Sequence, residues 1–183
     1  MSDPTQIITP KNGLNVIGCS DDSITGNFLL TRGMEFDKDI AVQLLYGVGV
    51  SKPERFEKFK KIVNGREIFS ALLPEDCEFI GIAKDKKPVI IKKGNLIEGT
   101  IDKNTIGQEK GELIRSLCAK YGQDLTLEIM GQMFRLGIAV LLNRGFTITI
   151  GDTDLPEDLR AKCKEVIYSS ERRVTQLIEQ FEK

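Results

Sequence analysis

The 183-residue sequence contains no histidine. That absence removes the commonest general base, and with it every Ser-His or Cys-His relay. Its four cysteines, Cys19, Cys77, Cys118 and Cys163, lie more than forty residues apart, and none belongs to a CxxC pair. Such spacing supplies no clustered ligands for structural zinc and suits reduced thiols. No apolar run reads as long enough to cross a membrane, and the opening MSDPTQ lacks the basic-then-apolar pattern of a secretion signal. An intracellular chain without a membrane partner is expected. Neither GxxxxGK[ST] nor G-x-S-x-G occurs. The G-x-G of YGVGVSKPE follows a helical pattern and lacks a third glycine, so no dinucleotide loop is expected. The net charge of −1 and pI of about 5.7 provide no global field for DNA or RNA. A nucleic-acid role would need a local patch or a larger assembly.

What is present suits a globular α+β chain, 40% hydrophobic and 29% charged. Short strands are expected at LNVIGCS and at Phe28 to Thr31 of ITGNFLLTR. A helix over KDIAVQLLYG should start at the N-cap Asp37 and stop near Gly47. The polar GVGVSKPERFEKFKKIVNG reads as a loop with a brief helical turn. Val89 to Ile91 and Leu96 to Ile101, joined by Lys93-Gly94-Asn95, read as a β-hairpin. From Gly111 the period turns helical. ELIRSLCAKYG ends at Gly122, and Asp124 caps a helix to Arg144 that is apolar on nearly every side and therefore expected to be buried. Gly131 and Gly137 could admit a close neighbour, and Arg144-Gly145 is a stop signal. A long amphipathic helix follows, its apolar stripe running from Leu159 to Phe181. It reaches Lys183 without a stop, as expected of a piece of a longer chain.

The lysines Lys84, Lys86, Lys87, Lys92 and Lys93 could touch phosphate. The plainer reading is that they guard an exposed edge strand. Two acid pairs, Asp21-Asp22 and Asp152-Thr-Asp154, resemble metal ligands. Two-metal nucleotidyl transfer needs several convergent carboxylates, whereas Asp154, Pro156 and Glu157 make a capping box with proline in the first turn. The cap is the expected role, and no catalytic or metal residue is assigned.

Four stretches, in order, resemble the largest subunit of multisubunit DNA-dependent RNA polymerases, in particular the archaeal A-prime subunit and its nuclear counterparts. They are IITPKNGLNVIGCSDDSITGNFLLTR, NGREIFSALLP, GNLIEGTIDKNTIG and NRGFTITIGDTDLPED. The resemblance implies a wall segment of the secondary channel, through which nucleotides enter and RNA 3′ ends are extruded. It implies a pore domain over 1–152, β-rich over 1–107 and helical over 108–145, and a funnel start over 153–183. The segment would serve a nucleotidyltransferase without catalysing alone, because the catalytic aspartates and their Mg²⁺ belong to a part outside it. No cofactor is expected here. Implied partners are other polymerase subunits, DNA, RNA, nucleoside triphosphates and, at the funnel, a transcript-cleavage factor. The location would be cytoplasmic, or nuclear for a eukaryotic source. Lys103 matches the lysine of the family's [DE]-K motif and either meets a phosphate as a mobile charge or ends a solvated hairpin. Asp22 matches a family aspartate, while Asp21 replaces the usual His or Gln before it. Thr149 stands where the family usually has glycine, so a left-handed backbone there would be strained. The alternative is a free-standing α+β module using Lys84 to Lys93 for an anionic or protein partner.

Overall fold

The computed structural model describes residues 6–50 and 53–181. The chain divides into two units, Met1–Gly145 and Phe146–Lys183. Among the described residues of the first unit, five short strands fall before residue 107, interspersed with helices.

LNVIGCS forms only isolated bridges, Asn15 to Ile8 and Glu109 and Cys19 to Gly107, instead of the expected strand. The strand expected at Phe28 to Thr31 is instead part of helix α1 (Asp21–Gly33). Its buried positions are Ser23, Gly26, Asn27, Leu30 and Thr31. These recur at helical spacing, but three are polar, so the apolar periodicity that signals a helix is missing. Their donors and the Thr31 hydroxyl are bonded inside, while Asn27 Oδ1 is buried without a partner among the described residues. Asn27 Nδ2 donates to Ser23 O and, across the interface, to Met133 O, each at 2.8 Å. Thr31 Oγ1 accepts from Ile101 N at 2.9 Å.

The partner of α1 is α6 (Gln123–Arg144). The two helices cross at paired glycines, where a Cβ on Gly26 would lie 1.9 Å from Gly137 O and one on Gly137 would lie 2.1 Å from Ser23 O. Gly131, also a candidate for close approach, meets only the flexible end of Arg135. Burial of α6 is one-sided. Ile129, Met133, Leu136 and Val140 are buried, whereas Phe134 is exposed and Leu142 is 82% exposed. The all-round burial expected for this helix is thus corrected to a single packed face. By length and apolar composition α6 also passes as a membrane-crossing helix, contrary to the sequence reading. In this fold its buried face packs into the core. Its N-cap is Gly122, not Asp124, and it stops at Arg144 with Gly145 in the left-handed region (φ 77).

Strands β1 (Glu35–Asp37) and β2 (Ile62–Asn64) pair antiparallel, with Phe36 opposite Val63. Helix α2 (Lys38–Gly47) starts after Asp37, which takes the extended N-cap backbone without a side-chain bond. The polar segment carries the expected turn, a 3-10 stretch at Pro53–Arg55. Helix α3 (Gly65–Ser70) has a capping box absent from the sequence reading: Asn64 accepts from Arg66 N at 2.9 Å, and Glu67 accepts from Asn64 N at 3.0 Å.

The second sheet orders β3 (Phe79–Ile82), β4 (Pro88–Lys92) and β5 (Asn95–Glu98) antiparallel, β4 central. The expected hairpin is β4–β5, closed by Lys93 (φ 48) and Gly94 (φ 71), although β5 ends at Glu98, short of Ile101. Lys84, Lys86, Lys87 and Lys93 sit in the two turns, and Lys92 ends the central strand. The edge-guarding role is therefore corrected, because the edges are β3 and β5. Helices α4 (Lys103–Ile106) and α5 (Glu112–Tyr121) complete this unit, α5 ending at Gly122 as expected.

In the second unit, Phe146 to Thr149 form no strand, and Thr149 N caps a 3-10 turn, Ile150–Thr153. Helix α7 (Glu157–Phe181) begins only after Pro156, so Asp154 does not cap it. Asp152 makes the capping contact instead, accepting from Thr149 N at 2.7 Å and Oγ1 at 2.9 Å, while Asp154 pairs with Arg160 at 3.5 Å. Thr149 is extended (φ −102, ψ 165), a region comfortable for a β-branched residue, so the expected strain is absent. None of the α7 stripe is buried.

Candidate functional site

The site begins with a buried carboxylate. Asp102, 8% exposed, is the N-cap of α4. One oxygen accepts from Asn104 N at 2.9 Å and Thr105 N at 3.2 Å, and the other accepts from Lys84 N at 2.5 Å. Thr105 Oγ1 returns the bond by accepting from Asp102 N at 2.7 Å. Backbone donors therefore engage this acid and tie the β3–β4 turn to α4. Lys103, the next residue, is exposed and forms no ion pair among the described residues.

Lys103 lines a hollow of about 440 Å³ with Ile24, Thr25 and Phe28 of α1 and Lys84 of the β3–β4 turn. A second hollow of about 540 Å³ shares Phe28, Asp85 and Thr100 with it and adds the cations Arg32, Arg66 and Lys87 and the acid Glu98. The two form one groove along the outer face of α1. Ile24, Phe28 and Arg32 stand four residues apart and so share that face. The Arg32 guanidinium lies 5.7 Å from the Phe28 ring centre, within cation–π range. Arg66 is fixed by donating to Thr31 O at 3.2 Å and Ile97 O at 3.3 Å. Lys87 pairs with Asp85 at 3.5 Å. The groove thus offers an aromatic face with five cations and three acids, of which Asp85 is paired with Lys87, Asp102 is engaged by N–H donors and Glu98 has no ion pair among the described residues.

Asp22 is exposed in the first turn of α1 and lines neither hollow, so the structure does not bring it together with Lys103. Phe28, Arg32 and Arg66 escaped the sequence reading because Phe28 was assigned to a strand. The i, i+4 spacing of Ile24, Phe28 and Arg32 was the available signal.

Other reactive groups have structural surroundings. Burial pushes the Cys19 thiol up to about 12, and it pushes Cys77 up as well. Neither is a thiolate near neutrality, so neither is a ready nucleophile. The Thr149 N–H, followed by its hydroxyl, holds Asp152 below its ordinary value. Among the described residues, no three Asp, Glu, Cys or His side chains converge to hold a metal ion. The described residues thus supply no carboxylate cluster of the kind that holds Mg²⁺.

The sequence profile described as RNA polymerase Rpb1, domain 3, matches residues 6–153. The chain belongs to that family. As an Rpb1 domain 3 chain, it is also similar to proteins named DNA-directed RNA polymerase subunit Rpo1N. One, from Methanocaldococcus jannaschii, is 30% identical over 97% of this chain and 14% of its own length. Another, from Thermococcus celer, is 30% identical over 96% of this chain and 23% of its own length. The Halobacterium salinarum protein is 31% identical over 97% of this chain and 19% of its own length. This Rpb1 domain 3 chain therefore spans less than a quarter of those relatives. The profile ends before α7, which the relatives' alignments nearly all cover.

Proposed function

We propose that the chain is a wall segment of the secondary channel in a DNA-directed RNA polymerase. Residues 1–152 form the pore domain, and residues 153–183 begin the funnel. In the complete enzyme this segment guides nucleoside triphosphates toward the catalytic centre and receives the 3′ end of extruded RNA. The nucleotidyl-transfer chemistry, with its Mg²⁺ and catalytic aspartates, belongs to parts of the enzyme outside these residues. Its partners are the other polymerase subunits, DNA and RNA, and a cleavage factor at the funnel, in the cytoplasm or, for a eukaryotic source, the nucleus.

The observation that carries this reading is the division of labour between Asp102 and Lys103. The aspartate anchors the backbone, and the anchored turn holds the lysine out over an open groove. A flexible ammonium on a rigid base suits a passing triphosphate, which needs attraction without tight capture. The assembled polymerase tests it. Lys103→Ala should raise the KM for nucleoside triphosphates by about 3- to 10-fold, the effect of losing one phosphate-directed charge. An unchanged KM and unchanged cleavage of backtracked RNA would refute the channel-facing role.

A further inference from the structure

The groove contains more than Lys103 requires. A triphosphate needs cations alone, yet the groove is centred on the ring of Phe28, which both hollows share. We infer that it is a binding site for a single-stranded oligonucleotide, one base stacking on Phe28 while the flanking phosphates meet Arg32 on one side and Lys84 and Lys103 on the other. This rests on the channel reading for its natural occupant, an RNA strand. The groove itself is argued from its geometry.

Three observations support it. First, cations line both of the hollows that share the ring. Arg32, Arg66 and Lys87 line one hollow with Glu98, Lys84 and Lys103 line the other with Asp102, and Asp85 lies in both, so the cations outnumber the acids. A strand stacking a base on Phe28 would carry one phosphate into each. Second, Arg32, Lys84 and Lys103 have no carboxylate within ion-pair distance among the described residues. They are available to phosphates, whereas Lys87 is paired with Asp85. Third, the ring is presented by a rigid element. Phe28 follows the buried Asn27, whose bonds to Ser23 O and Met133 O fix α1 against α6. The spacing suits single-strand recognition, in which aromatic faces take bases of any identity and a basic groove follows the backbone. Thr25 and Thr100 add hydroxyls along the walls, able to bond phosphate or sugar.

The test is fluorescence anisotropy of a labelled hexauridylate with the 183-residue chain, at a series of salt concentrations. We expect saturable binding that weakens with salt. Phe28→Leu, which keeps apolar bulk and removes the ring, should weaken it about 10-fold, and Phe28→Tyr should restore it. Arg32→Ala with Lys84→Ala should reduce the salt slope by about 1.4, the share of two phosphates on a single strand. Lys162→Ala with Lys164→Ala, remote in sequence on α7, should change nothing. A DNA hexamer bound as well supports the site, and the tighter of the two names its source. The inference is overturned if Phe28→Leu binds like the native chain with the same circular dichroism. It is equally overturned if inorganic triphosphate competes as well as the hexamer, if duplex DNA binds as tightly as either single strand, or if no binding occurs. The titration reads the groove alone, and the Lys103→Ala polymerase assay reads the channel, so either can fail without the other.

Discussion

Gly26 and Gly137 face each other where α1 crosses α6, with no room for a methyl group on either. Gly137→Ala would drive a Cβ against the Ser23 carbonyl, and we expect a loss of about 3 kcal/mol, measured by urea unfolding. Gly131→Ala, six residues earlier on the same helix, meets only a movable arginine tip. It should gain up to about 1 kcal/mol from helix propensity. Both glycines look alike in the sequence, since nothing local distinguishes a crossing point from a solvent-side position. The cysteines behave similarly. Cys19 and Cys77 are buried and Cys163 is exposed, so a thiol reagent at pH 8 should modify Cys163 first and the buried pair only on unfolding. Modification of Cys19 at the rate of Cys163 would contradict the packing. At the surface, Asp76 accepts from Tyr121 Oη at 2.8 Å and pairs with Lys120 at 3.0 Å. The Lys120 hydrogen bond, followed by that of Tyr121, holds its carboxyl below the ordinary value of 3.8. A lowered carboxylate lends stability above its ordinary value and loses it as pH falls through the native value. The unfolding curves of the native chain and Asp76→Asn should therefore differ at pH 7 and converge in acid below the ordinary value.

Among the elements, the β4–β5 hairpin is closed by Lys93 and Gly94, both with positive φ. That geometry belongs to a tight two-residue turn in which asparagine is preferred at the first position. Lys93→Asn should raise stability by about 0.5 kcal/mol, seen as a higher Tm. This hairpin was legible in the sequence because Gly94 marks its turn, and α5, α6 and α7 were legible from their 3.6-residue period. Helix α1 was not. Its inward face carries Ser23, Asn27 and Thr31, whose value depends on acceptors and donors over a hundred and about seventy residues away, at Met133 and Ile101. A period of polar residues is indistinguishable from a solvated face until those partners are known. The same misreading hid Phe28 and Arg32, and with them the centre of the groove. The start of α7 failed for a subtler reason. Asp154 and Glu157 have capping-box spacing, but Thr149 and Asp152 close their own 3-10 turn first, and the helix begins only after Pro156.

At the scale of the whole molecule, membership of the Rpb1 domain 3 family accounts for the ordered matches along the chain. Lys103 stands out in the sequence through the family's [DE]-K motif, and the Asp102 before it is buried while the lysine is exposed. Asp22 lines neither hollow. We expect Asp22→Asn to leave nucleotide KM in the assembled enzyme within about 2-fold of native, since a solvated charge that lines neither hollow adds little. The most direct test of the central claim is proximity to the transcript. A photoreactive residue is placed at position 103 in the complete subunit, the polymerase is assembled, and the complex is stalled and backtracked. The account predicts that light crosslinks position 103 to the extruded RNA 3′ segment, with the yield falling when the complex is returned to the forward register. Crosslinks to a neighbouring subunit in both registers, with none to RNA, would contradict it.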